Sequence, residues 1–501
     1  MKNIGNIIKT LQNIMRKDQG VSGDAQRIEQ LGWMISLKII DDKDAELELI
    51  HDKYTSSIPS ELQWRNWAAD SEGITGDALK EFVDQKLFPG LKNLDVSTGN
   101  KRTLLIRDIF EGTNNYMKNG TIIRQVINQL NQIDFNVSED RHVFGDIYEN
   151  ILRDLQSAGN YGEFYTPRAI TEFMTDIINP RLGEKVLDPA CGTGGFILAA
   201  HDFISQTYQL DIDQKKFLKF HTFKGKDIVD GVARLCVMNL FLHGIGGEES
   251  PIEVGDSLIS DPGERFDVVL TNPPFGKKSS ITIVNGEGKS DRETLVYERQ
   301  DFWATTSNKQ LNFLQHVKTI TKMNGKVGIV VPDNVLFEGG AGETVRRKLL
   351  AECDVHTLLR LPTGVFYAQG VKANVLFFDR RPASEKPWTT KLWIYDLRTN
   401  MHFTLKTNPL RYEDLKDFIK CYNPENRMER KETERFKAFS YDELIQRDKV
   451  SLDIFWLKDE SLEDSENLPS PDILASEIVE NLESALEQFN GIYEDLEGEK
   501  T

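Results

Sequence analysis

The sequence predicts an α/β protein in which a largely parallel β-sheet, covered by helices on both faces, lies between a helical N-terminal domain and a C-terminal helix. Apolar residues recur at three- and four-residue steps up to about residue 155, and short apolar runs alternate with helical segments from about 160 to 400. A heptad-like apolar series then follows Pro471. We therefore expect four regions: 1–155 (helical), 156–400 (α/β), 401–470 (mixed extension) and 471–496 (helix).

The N-terminal region has the spacing of amphipathic helices and no motif that points to chemistry. Apolar residues at helical steps occupy 4–15, 28–37 and 122–130, and Ser138 precedes a further helical run that ends at Leu155. The pattern indicates a helical domain that packs against the rest of the chain or presents it to a partner.

Seven short apolar runs in the second region predict strands. They are 185–187, 221–225, 252–254, 266–270, 326–331, 356–361 and 374–378. Sheets of this kind bind ligands at the carboxyl ends of their strands. Functional residues should therefore follow directly after the strands.

A glycine-rich segment, D-P-A-C-G-T-G-G-F from Asp188 to Phe196, joins the first predicted strand to a helix. Glycines at 192, 194 and 195 allow a tight turn and the close approach of a ligand to the backbone. The segment has neither the G-x-G-x-x-G spacing of dinucleotide folds nor the G-K-[ST] ending of a phosphate loop. Cys191, inside this loop, is interpreted as a packing residue.

Two carboxylates follow the next two predicted strands. Asp227 is placed where an acidic side chain commonly accepts hydrogen bonds from a ribose, and Asp256 follows the third strand. Taken alone, Asp227 is interpreted as a solvated loop carboxylate. Together with the glycine loop, the two positions form a polar rim suited to a nucleoside.

The tetrapeptide Asn272-Pro273-Pro274-Phe275 ends the 266–270 run. Two prolines force the chain out of the sheet and stiffen it. The Asn272 amide oxygen and the Pro273 carbonyl are two acceptors that could engage both N–H bonds of a planar amine. Phe275 offers a face on which the ring that carries the amine could stack, although a proline-stiffened loop without function has the same composition.

The D-P-A-C-G-T-G-G-F and N-P-P-F pair resembles the motifs of S-adenosylmethionine-dependent amino-methyltransferases of the DNA adenine-N6 class. More narrowly, the chain resembles the modification (methyltransferase) subunit of type I restriction-modification systems from about residue 1 to 400. A segment similar to the family's Y-x-T-P element, which reads F-Y-T-P here, and two further segments strengthen this resemblance, and they occupy 162–168, 307–313 and 361–366. The resemblance implies a Rossmann-like class I methyltransferase domain.

The resemblance also implies roles for individual residues. Adenine N6 would bind at Asn272, Pro273, Pro274 and Phe275. S-adenosylmethionine would contact Glu163, Phe164, Tyr165, Thr166, Pro167, Arg168, Asp188, Gly192, Thr193, Gly194, Gly195, Asp227 and Asp256. Many relatives carry Gln in place of Glu163 and Glu in place of Asp227. Both substitutions keep a side chain that can accept hydrogen bonds.

The implied partners are double-stranded DNA, a specificity subunit clasped by two copies of this chain, and a restriction/translocase subunit. The helix at 471–496 would contribute to the clasp, although a helix that folds back on its own domain would have the same pattern. Residues 458–501 carry fourteen acidic residues and two lysines, −12 of the total −18, so the remaining 457 residues carry only −6. The acidity of the tail does not exclude nucleic-acid binding by the body.

Other classes of protein are disfavoured. We expect no membrane span, because no apolar run approaches the ~20 residues that a bilayer requires. Four scattered cysteines and histidines without ligand spacing predict no metal site and a cytoplasmic protein. Two alternatives stay open: a methyltransferase acting on RNA or on a protein glutamine, and a non-catalytic scaffold that positions DNA.

Overall fold

The computed structural model describes residues 4–21, 24–52, 54–97, 99–133, 166–247, 249–275, 280–284, 290–294, 296–366, 372–401, 403–404, 408–458 and 479. The chain forms two compact units, each built from two stretches of sequence. The first contains residues 1–165 and 180–257, and the second contains 166–179 and 258–501. Among the described residues, no helix combines the length and apolar character needed to cross a bilayer. The four sequence regions stay a prediction.

The described helices are numbered in chain order. They are α1 Ile4–Met15, α2 Asp24–Ile50, α3 Trp64–Trp67, α4 Gly76–Glu81, α5 Phe88–Lys92, α6 Lys101–Glu111, α7 Gly120–Leu130, α8 Arg168–Ile178, α9 Gly195–Thr207, α10 Ile212–Phe220, α11 Asp230–Leu242, α12 Lys309–Ile320, α13 Asn334–Phe337, α14 Ala341–Glu352, α15 Lys416–Tyr422 and α16 Tyr441–Gln446. A π-helical turn, Phe82–Leu87, joins α4 to α5. Short 3₁₀ turns occur at Gln19–Val21, Ser60–Leu62, Tyr412–Leu415, Arg427–Glu429 and Asp448–Val450.

The N-terminal helices confirm the periodicity of the sequence. The series at 4–15, 28–37 and 122–130 lie in α1, α2 and α7, and the predicted helix at 138–155 lies outside the described residues. Asn100 and Asn119 cap α6 and α7 by accepting hydrogen bonds from the first backbone N–H groups of each helix. The buried rings of Trp33, Phe88 and Phe110 contact one another edge to face in the core.

The strands are also numbered in chain order. They are β1 Val186–Asp188, β2 Phe223–Asp227, β3 Ile252–Val254, β4 Phe266–Thr271, β5 Ser280–Val284, β6 Ser290–Thr294, β7 Thr321–Pro332, β8 Cys353–Arg360, β9 Ala373–Arg380, β10 Lys391–Asp396 and β11 Phe436–Ser440. All seven predicted strands form, with ends that differ by up to five residues.

In the first unit the three strands run parallel in the order β1-β2-β3. Helix α9 follows β1, and α11 follows β2. The carboxyl ends of β1, β2 and β3 therefore meet at one edge, which is where the sequence placed Asp188, Asp227 and Asp256.

In the second unit the strand order is β11-β10-β8-β9-β7-β4. Strand β4 is parallel to β7, and β8 is parallel to β10. Strand β9 is antiparallel to both β7 and β8, and β11 is antiparallel to β10, so the prediction of a largely parallel sheet is wrong for this unit. The sequence could not show this, because β9 is buried along almost its whole length and its continuous apolar run has the same pattern in either direction.

Four strands of the second unit lay outside the prediction, namely β5, β6, β10 and β11. Strand β10 begins and ends with a charged residue, and β11 is a short strand that follows the charged segment 429–435. The polar composition of the segment 277–300 predicts a surface loop or a lid. In the structure it contains β5 and β6, which pair antiparallel with each other.

Candidate active site

The glycine loop turns sharply between β1 and α9. Gly192 and Gly194 have φ values of +52° and +89°, a region that residues with a Cβ rarely adopt. A Cβ on Gly194 would also lie 2.9 Å from Cys236 Sγ on α11. The loop therefore needs glycine at 194 for two reasons, its backbone conformation and the closeness of α11.

Hydrogen bonds from the surrounding elements hold the backbone of this loop. The Cys191 N–H donates to the Lys226 carbonyl at 3.0 Å, and the Gly194 N–H donates to the Cys191 carbonyl at 2.8 Å. Ser257 Oγ donates to the Pro189 carbonyl at 2.6 Å. Asn239 Nδ2, from α11, donates to the Thr193 carbonyl at 2.9 Å. The turn is thus fixed by contacts from β2, α11 and the segment after β3.

Asp227 links the glycine loop to β2. Its Oδ2 accepts the Gly192 N–H at 3.0 Å and its Oδ1 accepts the Val229 N–H at 2.9 Å. Burial raises the pKa of the Asp227 carboxyl above its usual range, and the two N–H donors lower it by less. The carboxylate is buried and held in one orientation, which fits a ribose acceptor better than a solvated loop residue.

The other predicted residues of this unit lie around the same edge. Asp188 is buried and its Oδ1 accepts the Ala190 N–H at 3.0 Å. The Gly255 N–H donates to the Asp227 carbonyl at 2.8 Å, which brings half-buried Asp256 next to the end of β2. The structure thus brings together Asp188, the glycine loop, Asp227 and Asp256.

Cys191 is confirmed as a packing residue. It is buried, and a hydrogen bond with Cys236 together with burial holds the pKa of the Cys191 thiol well above its usual range. A thiol that stays protonated is a poor nucleophile. Among the residues that the structure describes, no cluster of three or more side chains could hold a metal ion.

The Asn272–Phe275 corner leaves the sheet directly after β4, and Asn272 is its best-defined residue. Asn272 Nδ2 donates to Thr166 Oγ1 at 3.0 Å. Asn272 Oδ1 is buried and accepts no hydrogen bond within the described part of the chain. Buried side-chain oxygens are rarely left without a donor, so this atom is positioned to accept a hydrogen bond from a bound molecule.

Two residues from other segments contact this corner. Gln310 Nε2 donates to the Pro274 carbonyl at 3.3 Å. The Phe275 ring meets the Phe366 ring edge to face, with centroids 5.6 Å apart. The sequence did not assign a role to either residue, although both lie in the segments 307–313 and 361–366 that carried the resemblance.

The Y-x-T-P element is described only in part. Thr166 contacts Asn272, Pro167 is the residue before α8, and exposed Arg168 pairs with Glu172 at 2.9 Å on the same helix. Glu163, Phe164 and Tyr165 lie outside the described residues. The predicted site residues therefore form two sets, one in each compact unit, with Thr166 in the same unit as Asn272.

Comparisons with known proteins decide the family. Residues 139–456 match the family described as N-6 DNA Methylase, and residues 4–130 match the HsdM N-terminal domain. The chain is 42% identical over 460 residues to the type I restriction enzyme EcoEI methylase subunit of Escherichia coli, covering 90% of each chain. The chain belongs to the type I methylase subunits. The resemblance found in the sequence is thereby confirmed.

Solved structures agree with this membership. The fold is similar to that of a modification subunit assigned to a type I restriction enzyme of Vibrio vulnificus YJ016, with a TM-score of 0.72, 31% identity, and coverage of 89% of this chain and 94% of that chain. It is also similar to a chain solved in a study of complex assembly and conformational transition of the type I restriction-modification system. There the TM-score is 0.73 with 30% identity, and coverage is 100% of this type I methylase subunit and 99% of that chain.

Proposed function

We propose that this chain is the catalytic modification subunit of a type I restriction-modification system and methylates N6 of adenine in DNA, in the cytoplasm. The chain matches the N-6 DNA methylase family, and the observation that carries the proposal is Asn272 Oδ1, which is buried beside two prolines and has no donor among the described residues. An acceptor held in this way matches an amine, which brings a donor that the described part of the chain does not supply.

The geometry of the corner suits an exocyclic amine. Asn272 Oδ1 would accept one N–H of adenine N6, and the Pro273 carbonyl would accept the other. The two acceptors would pull electron density from the N–H bonds toward nitrogen and orient its lone pair. Nitrogen would then attack the donor's methyl group directly as the methyl–sulfur bond breaks with its electron pair left on sulfur, and the surplus N–H proton would pass to solvent. No covalent enzyme intermediate is needed, which agrees with the protonated state of Cys191.

Adenine in a duplex cannot reach a buried acceptor while it is paired. The base would flip out of the stack, at a cost of a few kcal/mol. The Phe275 ring, half-buried and braced by Phe366, would offer a stacking surface that recovers ~1–3 kcal/mol.

The residues of the glycine loop fit S-adenosylmethionine, which when bound supplies a methyl group on a positively charged sulfur. The turn at Gly192–Gly195 would accept the ligand against its backbone, and Asp227 would accept hydrogen bonds from the ribose. Asp188 and Asp256 would add acceptors at the same edge. Glu163, Phe164, Tyr165, Pro167 and Arg168 are proposed to cover the methionine end.

Sequence specificity is proposed to come from a separate subunit, bound by two copies of this chain, with a restriction/translocase subunit joining them. The similarity to a chain from a type I assembly supports this. The helix predicted at 471–496 lies outside the described residues apart from Val479 and would contribute to the contact. Deleting 471–501 should abolish co-purification with the specificity subunit and leave S-adenosylmethionine binding intact. Co-purification that survives the deletion would exclude this role.

The methylation reaction can be tested directly. The chain, co-expressed with its specificity subunit, is incubated with tritiated S-adenosylmethionine and unmethylated genomic DNA, and the digested nucleosides are separated. We expect label in N6-methyladenine and none in added RNA or protein. Label in RNA or in protein glutamine would support the second class of methyltransferase. Unchanged labelling with Asn272→Ala would favour the scaffold reading.

A further inference from the structure

The amide of Asn272 is nearly symmetric in shape but not in chemistry. Turning it by 180° about its last side-chain torsion exchanges the oxygen with the NH₂ group. An oxygen facing the substrate attracts the target amine, whereas an NH₂ group would place donor against donor. The proposed reaction therefore needs a neighbour that holds the amide in one of its two orientations.

The neighbour seen in the structure is Thr166. Its Oγ1 accepts the hydrogen bond from Asn272 Nδ2 at 3.0 Å, which leaves Oδ1 buried and without a donor among the described residues. Both residues belong to the second compact unit, although 106 positions separate them in the sequence. The contact joins the end of β4 to the residue that precedes Pro167 and α8.

Thr166 itself has a rigid support. The Pro167 carbonyl accepts the N–H groups of Ile170 and Thr171 at 2.8 and 3.2 Å, which fixes the start of α8. Further along α8, the buried Phe173 ring packs edge to face against Phe377 and Phe418 in the core of the unit. Thr166 thus lies two residues before a helix whose packing in the core fixes its position.

We propose that Thr166 is a positioning residue for the reaction: its hydroxyl keeps the Asn272 amide turned so that Oδ1 faces the target amine. The inference rests on the proposed function and changes what the resemblance implied, namely that Thr166 serves the cofactor. A contact with the cofactor would govern the affinity for S-adenosylmethionine. A contact that orients Asn272 would govern the turnover rate.

The test compares Thr166→Val, which keeps the shape and removes the hydroxyl, with Thr166→Ser, which keeps the hydroxyl. Each variant is assembled with the specificity subunit, and the Kd for S-adenosylmethionine and the kcat for DNA methylation are measured. We expect Thr166→Val to lower kcat about 10- to 100-fold with a Kd within about twofold of wild type. Thr166→Ser should keep kcat within about threefold.

A matched control is Thr175→Val, which removes a buried hydroxyl from α8, one that donates to the Thr171 carbonyl at 2.7 Å. It should leave kcat unchanged. A double-mutant cycle adds a measurement that a purely structural role would not move: Thr166→Val in an Asn272→Ala background should cause no further loss. Should Thr166→Val fail to fold, Thr166→Ala takes its place in the cycle.

Two results would overturn the proposal. One is a raised Kd for S-adenosylmethionine with an unchanged kcat at saturation, which would return Thr166 to the cofactor. The other is an additive loss in the double mutant. A failure of the proposed function is distinguishable from both, because the wild-type complex would then methylate no adenine at all.

Discussion

The glycine loop and the Asn272–Phe275 corner follow parallel strands in different compact units. They differ in whether their polar groups already have hydrogen-bond partners. In the loop, Gly192 N–H meets Asp227, and the Pro189 and Thr193 carbonyls each receive a side-chain donor. In the corner, Asn272 Oδ1 is buried and, within the described residues, receives none. The hydrogen bonds of the loop hold its backbone conformation, whereas the acceptor in the corner is positioned to bind a substrate donor. We therefore expect changes in the loop to alter cofactor affinity and changes in the corner to alter turnover.

The largest expected effect is on the corner. Asn272→Ala removes the reserved acceptor, so kcat should fall by about 10²- to 10³-fold, as for other groups that act mainly on the transition state. The Kd for S-adenosylmethionine should stay within about twofold. Exposed Asn93 offers a control, since Asn93→Ala should change neither quantity. A large rise in Kd with Asn272→Ala would contradict the proposal that the loop determines cofactor affinity and the corner determines turnover.

The next effect concerns the shape of the loop. Gly194→Ala introduces a Cβ at φ +89° and 2.9 Å from Cys236 Sγ, which together should weaken S-adenosylmethionine binding by about 10- to 100-fold. Gly183→Ala is a matched control, because Gly183 has φ +90° but no described atom within 4 Å of an added Cβ. Both variants should lose stability in thermal unfolding, and only Gly194→Ala should lose affinity. Equal affinity in the two would show that the closeness of α11 is unimportant.

Protonation of Asp227 should make the affinity for S-adenosylmethionine depend on pH. Each carboxylate oxygen already accepts a backbone N–H, so a proton added at low pH must compete with Gly192 or Val229. Because burial raises the pKa of Asp227, this competition begins at a higher pH than for an ordinary carboxyl, and cofactor affinity should fall as pH falls through that pKa. Asp227→Asn should weaken binding about tenfold at pH 7.5 and flatten the profile, as measured by titration calorimetry. An unchanged profile in the variant would assign the pH dependence to another group.

Features of the fold and of the candidate site could be predicted from the sequence where they leave a local signal in residue type. The glycine loop and Asp227 could be predicted, because a tight turn requires glycine and a polar residue marks the end of a buried strand. The direction of β9 could not, since a fully buried strand is apolar on both faces in either orientation. The Thr166–Asn272 contact could not be derived either, because nothing local relates two residues 106 positions apart. The roles of Gln310 and Phe366 were missed for the same reason.

The smallest expected effect concerns the hydrogen bond that α11 makes to the glycine loop. Asn239 donates to the Thr193 carbonyl at 2.9 Å from a buried position on α11. Asn239→Leu keeps the approximate volume and leaves that carbonyl without its donor, a loss of about 1 kcal/mol or roughly a fivefold rise in the Kd for S-adenosylmethionine. Because Thr193 is proposed to contact the cofactor, kcat at saturating cofactor should not change, which is the reverse of the result expected for Asn272→Ala. Asn239→Ser, with a shorter donor, should lie between wild type and Asn239→Leu in affinity. A fall in kcat without a rise in Kd would mean that α11 acts on the reacting amine, and the two regions would then not be separable in function.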